Sequence, residues 1–211
     1  AALPLNGTPA GGTWSGAGVA GNTFVPSVAG TGPHTLTYAY TDANNCAASC
    51  TASISVAGLP VVNCGSYAAR CVSAAPFTLG GAPAGGTWSG AGVTGNTFDP
   101  AAAGAGNHVL TYSYTNANGC TNTCSTNITI YDLPVLGCGT YGPVCADGAA
   151  INLAGAPAGG NWSGTGVNAG AFSPTVAGAG THAVTYAYTD VHGCANTCST
   201  NITVNPLPAV N

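Results

Sequence analysis

The sequence predicts an all-β protein built as a tandem array of small β-sandwich modules, and three observations predict it. The first is a strict internal repeat, which has to be read before any local motif. Gly11 to Val19 and Gly85 to Val93 both read GGTWSGAGV, and Gly159 to Val167 reads GGNWSGTGV. Trp14, Trp88 and Trp162 are spaced 88 − 14 = 74 and 162 − 88 = 74, and Phe24/Phe98/Phe172, His34/His108/His182 and Cys46/Cys120/Cys194 keep that step. The second is apolar–polar alternation with no helical period. The third is punctuation: 33 glycines and 14 prolines interrupt the chain too often for long helices. The step divides the chain into a module at 1–58 that lacks its first strand, modules at 59–132 and 133–206, and a segment at 207–211 that aligns with the start of a module.

The middle module serves as the template. Leu59 to Asn63 reads as a first short strand, and Cys64 and Cys71 bracket a loop holding Tyr67 and Arg70. Ala75 to Leu79 is a second strand, Gly86 to Ser89 a third that carries Trp88, and Val93 to Phe98 a fourth, ended by Asp99-Pro100. His108 to Thr115 is the clearest strand: His108, Leu110, Tyr112 and Tyr114 share one face, and Val109, Thr111, Ser113 and Thr115 the other. Asn116-Ala117-Asn118-Gly119 is a hairpin turn, its Asn-Gly suited to positive φ. Cys120 to Tyr131 is the last strand, with Cys120, Cys124, Ile128 and Ile130 on one face and Thr121, Thr123, Ser125, Asn127 and Thr129 opposite. Such strands around a core tryptophan (Trp14, Trp88, Trp162) describe a small sandwich. Each module is near the lower size limit for an independent core, so a disulfide at ~2–4 kcal/mol counts heavily.

Composition excludes several function classes. Arg70 is the only Lys or Arg, against five aspartates and no glutamate, so charged residues are 3% of the chain. One cation cannot supply the basic face that nucleic acid or an anionic membrane surface requires. No apolar run approaches the ~18 residues of a membrane-spanning helix. A surface of Thr, Ser, Asn, Gly and Ala repels its copies weakly, which suits self-association or a glycan coat. Ten cysteines at recurring places point to an oxidising, extracellular setting.

The pattern GGTWSGAGV, then F-x-P, AG-x-G, H-x-x-TY-x-YT, A-N-G-C and I-T-I, resembles the Ig-like (PKD-like) tandem repeats of large bacterial secreted and cell-surface proteins. The resemblance covers all three modules. It implies an Ig-like sandwich and a non-catalytic, adhesive or fibre-forming role. No tyrosine lies two residues before the last-strand cysteine, so the tyrosine corner of antibody domains is not expected.

The ends of the chain fit two arrangements. Ala1 to Leu5 aligns with Ala75 to Leu79, and Leu207, Pro208, Ala209, Val210 and Asn211 align with Leu59 to Asn63. Either the sequence is a window of a longer repeat chain, or 207–211 of one copy completes the first module of the next by strand addition. Cys120 and Cys124 lie ~13 Å apart along an extended strand, beyond the ~7 Å a disulfide spans. The last-strand pairs Cys46/Cys50, Cys120/Cys124 and Cys194/Cys198 must therefore bond the loop pairs Cys64/Cys71 and Cys138/Cys145. Pairing within a module joins Cys64 and Cys71 to Cys120 and Cys124 and leaves Cys46 and Cys50 over. Pairing across the junction joins Cys46 and Cys50 to Cys64 and Cys71 and leaves Cys194 and Cys198 over.

No catalytic set, metal site or cofactor is expected. The CxxxC and Cx6C spacings lack zinc-knuckle geometry. His34, His108 and His182 read as core or turn-capping residues, and His192 as an exposed turn residue. Gly90 to Gly95 matches GxGxxG by letter but no helix follows it, so it is turn chemistry. The turns at Asp42 and Asp190 hold too few carboxylates for calcium, and Asn116 replaces the aspartate in the middle module. Asn6, Asn127, Asn161 and Asn201 fit the glycosylation sequon, with Asn127 and Asn201 on the polar face of the last strand. Two functions follow: an extracellular fibre or stalk of modules packed against copies of themselves, or an adhesin whose loops hold a glycan or surface protein.

Overall fold

In a computed structural model, residues 1–210 are described. The first module contains β1 (Leu3–Pro4), β2 (Thr13–Ser15), β3 (Val19–Ala20), β4 (Thr23–Phe24), α1 (Pro26–Ala29), β5 (Gly32–Thr41) and β6 (Ala47–Val56). The middle module contains β7 (Arg70–Cys71), β8 (Phe77–Thr78), β9 (Thr87–Ser89), β10 (Val93–Thr94), β11 (Thr97–Phe98), α2 (Pro100–Ala103), β12 (Gly106–Thr115) and β13 (Thr121–Tyr131). The third contains β14 (Val144–Cys145), β15 (Ile151–Asn152), β16 (Asn161–Gly164), β17 (Val167–Asn168), β18 (Ala171–Phe172), α3 (Pro174–Ala177), β19 (Gly180–Thr189) and β20 (Ala195–Asn205).

Each module has two sheets. The small one is β1-β4-β3, β8-β11-β10 or β15-β18-β17; the large one is β2-β5-β6, β7-β13-β12-β9 or β14-β20-β19-β16. The chain is thus an all-β array of Ig-like β-sandwich modules. Alternation sets the long hairpin: Gly180 pairs with Val204 and Thr189 with Ala195, so Val184, Tyr186, Ile202 and Val204 all face inward. Phe24, Phe98 and Phe172 are fully buried and form the centre of each sandwich. In the third module Phe172, Val184, Ile202 and Val204 are buried together, with Tyr141, Ile151, Leu153 and Trp162 packed around them.

By density of contact the described chain forms two compact units. One holds residues 1–63, 82–86 and 113–124; the other holds 64–81, 87–112 and the described residues from 125 on. The line between them passes through the middle repeat. The first module lies wholly within one unit and the third module wholly within the other.

Several expected elements differ. Leu59 to Val62 form no strand; only Asn63 pairs, in an isolated bridge to Ala82, and Gly137 pairs likewise with Ala156. Leu133-Pro134 and Leu59-Pro60 begin these segments, and proline removes the N–H a ladder needs. The strand expected at Val93 to Phe98 is a tight hairpin of β10 and β11. Asp99-Pro100 ends it and also starts α2: the Asp99 carboxylate accepts from the N–H groups of Ala101 and Ala102, and Pro100 takes the first helical position. The loop between Cys64 and Cys71 ends in β7, an unexpected two-residue strand running parallel to β13, with Arg70 opposite Ile130 and Cys71 opposite Tyr131.

Candidate functional site

The repeated GG-x-W and T-Y-x-Y motifs meet in one arrangement. Trp14, Trp88 and Trp162 lie 5.1 Å, centroid to centroid, from Tyr38, Tyr112 and Tyr186. The Tyr186 hydroxyl accepts from Gly160 N–H at 2.7 Å and donates to the Pro157 carbonyl; Tyr38 does the same with Gly12 and Pro9. The phenol ring lies against Gly7, Gly81 and Gly155 so closely that a Cβ at Gly81 would sit 2.5 Å from Tyr112. Glycine is required there by contact, and the motif is a fastening for the glycine-rich loop. Of the three tryptophans expected in the core, Trp88 is buried while Trp14 and Trp162 are half-buried. They sit on β2, β9 and β16 at the margin of the large sheet, and the phenylalanines occupy the centre.

A second tyrosine distinguishes the later modules. Tyr141 Oη accepts from Ala154 N–H at 2.8 Å, and Tyr67 Oη from Gly80 N–H at 3.0 Å. Tyr67 stands edge-on to Trp88 and Tyr141 edge-on to Trp162. In the first module Trp14 Nε1 is buried without a hydrogen-bond partner among the described residues. Arg70, the one basic side chain besides the histidines, lies 4.5 Å over the Phe77 ring.

The cysteines follow the within-module scheme in part and depart from it in part. Cys138 bonds Cys198 within the third module, Cα–Cα 6.0 Å. Cys64 and Cys124, the same positions one step earlier, are both disulfide-bonded. Cys71, however, bonds Cys194 of the following module, Cα–Cα 5.5 Å, a pairing neither scheme contains. Strand β7 explains it. Cys71 lies beside Tyr131, at the far end of the last strand from Cys120, and 11 residues of extended chain put ~36 Å between them. That end adjoins the next hairpin, where His192 stacks on Tyr131 at 3.7 Å. His192 is therefore a packing residue, not merely an exposed one. Cys46, Cys50, Cys120 and Cys145 are free thiols.

The three hairpin cysteines are presented alike. Asp42, Asn116 and Asp190 each accept, through Oδ1, from the N–H groups two and four residues on, so Cys46, Cys120 and Cys194 N–H are all held at 2.8–3.0 Å. Those side chains close turns; the described residues contain no group of three or more His, Cys, Asp or Glu arranged for a metal. His34, His108 and His182 cap turns through Nε2 at 2.9 Å from the carbonyls of Gly30, Gly104 and Gly178. Next to the hairpins, Asn122 Nδ2 donates to the Pro60 carbonyl at 2.9 Å and Asn196 Nδ2 to the Pro134 carbonyl at 3.0 Å. Ala48 stands at this place in the first module.

Asn6, Asn127, Asn161 and Asn201 are all exposed. An open cleft of about 390 Å³ in the third module is lined by Gly159, Asn161, Tyr188, Asn196 and neighbouring small residues, with no acid, histidine or cysteine. Residues 206–210 form no strand, and Leu207 and Val210 are exposed; Asn211 lies outside the described residues. Among the described residues no helix is long and apolar enough to cross a membrane.

The fold defines the class: tandem Ig-like β-sandwich modules. No protein-family model matches the chain, and no curated protein matches it. Among solved structures the chain is similar to titin domains I67–I69, at 15% identity over 93% of this chain and 83% of that one, TM-score 0.36. It is similar to a Ca2+-stabilised adhesin with which an Antarctic bacterium binds ice, at 14% identity over 84% of this chain, TM-score 0.35. It is also similar to fibronectin(III)-like modules of Clostridium thermocellum CbhA, at 10% identity over 69% of this chain and 95% of that one, TM-score 0.30. The chain spans 58% of the length of the adhesin and 39% of that of a matched endo-fucoidan hydrolase. The disulfides point to an extracellular, secreted protein.

Proposed function

We propose that this chain is a non-catalytic structural element of an extracellular bacterial fibre or cell-surface stalk, made of PKD-like modules set end to end and packed against copies of themselves. The observation that carries this reading is the Cys71–Cys194 bond, which ties the loop of one module to the hairpin of the next. A covalent tie between successive repeats adds nothing to a pocket and resists separation of the array. The nearly uncharged surface supports the reading, since 3% charged residues give copies little mutual repulsion. So does the use of the recurring histidines, tyrosines and hairpin Asp or Asn side chains for turns and loop fastening.

Electron microscopy of the native material tests this directly. Thin, regular filaments or stalks with a repeat of module size are expected. Dispersed single particles at high concentration would overturn the reading. A glycan array run alongside addresses adhesion: strong, selective binding that fails after Tyr188→Ala in the third-module cleft would replace the scaffold with a repeat adhesin. The exposed sequons also offer acceptors for a glycan coat, and an intact mass above 20.2 kDa, restored to that value by deglycosylation, would establish it.

A further inference from the structure

On the outward faces of the long hairpins, opposed hydroxyls can satisfy each other. Thr185 meets Ser199 at 2.8 Å, Thr111 meets Ser125 at 3.1 Å and Thr115 meets Thr121 at 2.7 Å. The open cleft of about 390 Å³ in the third module lacks this means. Register opposes Ala187 to Thr197 and Thr189 to Ala195, so each threonine faces a methyl group. On the other side of Ala187 stands Asn161 of β16. These side chains share the outward face, and Asn161 and Thr197 lie two strand spacings apart, ~10 Å. Among the described residues neither threonine hydroxyl nor the Asn161 amide has a hydrogen-bond partner. The cleft thus has a floor of two methyl groups, framed by an amide and two hydroxyls with nothing to bond.

We propose that this cleft binds a single unit of a neutral sugar. The inference goes beyond the array reading and stands without it. No ionised group lines the cleft, and the adjoining Asp190 carboxylate accepts from His192 and Cys194 N–H and closes its own turn. A charged ligand would shed water there and gain no counter-charge; a wholly apolar one would leave the amide and hydroxyls unpaired. A pyranose answers both requirements. Its C–H groups can lie on Ala187 and Ala195, and its neighbouring hydroxyls both give and accept hydrogen bonds. The Asn161 amide offers donors and an acceptor side by side, and each threonine hydroxyl offers both. The volume lies within the ~300–1,000 Å³ of small-molecule sites.

The repeat supplies its own controls. In the first module Thr13 takes the place of Asn161, beside the same alanine floor of Ala39 and Ala47. In the middle module Thr87 takes that place, and Ser113 and Thr121 replace the floor, with the Thr121 hydroxyl bonded to Thr115. The third module alone combines the methyl floor with the amide. A ligand of about a dozen non-hydrogen atoms in so open a site should bind with a Kd of ~1 mM. Binding this weak leaves a scaffold role untouched.

The full chain, labelled with nitrogen-15, is titrated with glucose, galactose, mannose and N-acetylglucosamine to about 50 mM, well above the expected Kd. At least one of these should shift the amide signals of Gly160, Asn161, Ala187 to Thr189 and Ala195 to Thr197, and glucuronate should bind no better. Asn161→Thr should weaken binding about tenfold, and Ala187→Ser combined with Ala195→Thr at least as much. These variants import residues that the middle module already carries at the same places, so the fold has room for them. Conversely, Thr87→Asn with Ser113→Ala and Thr121→Ala should add a second site in the middle module. No shift with any of the sugars, shifts of equal size at Ala39 and Thr41, tighter binding of glucuronate, or binding unchanged in both third-module variants would overturn the proposal. So would a glycan found on Asn161 by mass spectrometry of the native material, since that linkage consumes the amide. Filaments without sugar binding would sink the cleft and leave the array reading standing. Sugar binding by dispersed particles would do the reverse.

Discussion

The first and third modules repeat the same residues, yet their last strands live in different surroundings. Ile202 and Val204 of β20 are buried, while Ile54 and Val56 of β6, at the same step, are half-exposed. Leu36 and Val184, on the neighbouring strand, are buried in both. The difference therefore comes from the outer side of the last strand. In the third module β14 pairs with Val204 and Asn205, Tyr141 covers Trp162, and Cys138–Cys198 fastens the entering loop to the sheet. Among the described residues the first module shows none of these, and its large sheet ends at β6. The comparison shows what the entering loop does: it seals the edge of a hairpin whose own pattern buries only one side.

The strongest way to break the comparison is to remove the seal. Replacing Cys138 and Cys198 together by Ser opens a 60-residue loop and should destabilise the third module by about 4 kcal/mol on the chain-entropy account. Hydrogen exchange should show β19 and β20 approaching the protection of β5 and β6, with the latter unchanged. Next, Ile202→Ala should cost about 3 kcal/mol and Ile54→Ala about 1, because only the former leaves a cavity; denaturant unfolding of the two variants measures the gap. Equal losses would mean that the first module is covered in solution. Tyr141→Phe removes the acceptor for Ala154 N–H and should cost about 1 kcal/mol, read as a drop in the third module's unfolding midpoint. The smallest effect is on the outward face, where Thr185 and Ser199 share a 2.8 Å hydrogen bond: Thr185→Ala should cost about 0.3 kcal/mol, near the limit of the same measurement.

The long hairpins were legible in the residues. Ten-residue alternation fixes which side chains face inward, and Asn-Gly fixes the turn, so β12 and β13 lie within two residues of their expected ends. The step of 74 carried the modules as a repeat. What escaped was short or relational. Strand β7 has two residues, too few for any period, and its parallel direction is set by the sheet it joins. Without β7 there was no means of placing Cys71 at the far end of the last strand, and so no means of seeing Cys194 as its partner. Helix α2 left a signal that was read for only half its meaning: an aspartate before a proline stops a strand and also caps a helix. The role of the tyrosine hydroxyls was hidden because their partners lie 26 and 29 residues away along the chain.

The Cys71–Cys194 bond also governs how the chain would answer a pull on its two ends. Tension entering on one side of the bridge leaves on the other through sulfur, so the 123 residue steps between are shielded and cannot lengthen. At ~3.4 Å per residue, about 400 Å of contour is withheld from extension while the bridge is oxidised. Residues 1–70 lie outside this bridge and are not shielded by it, and a reducing agent would release the rest.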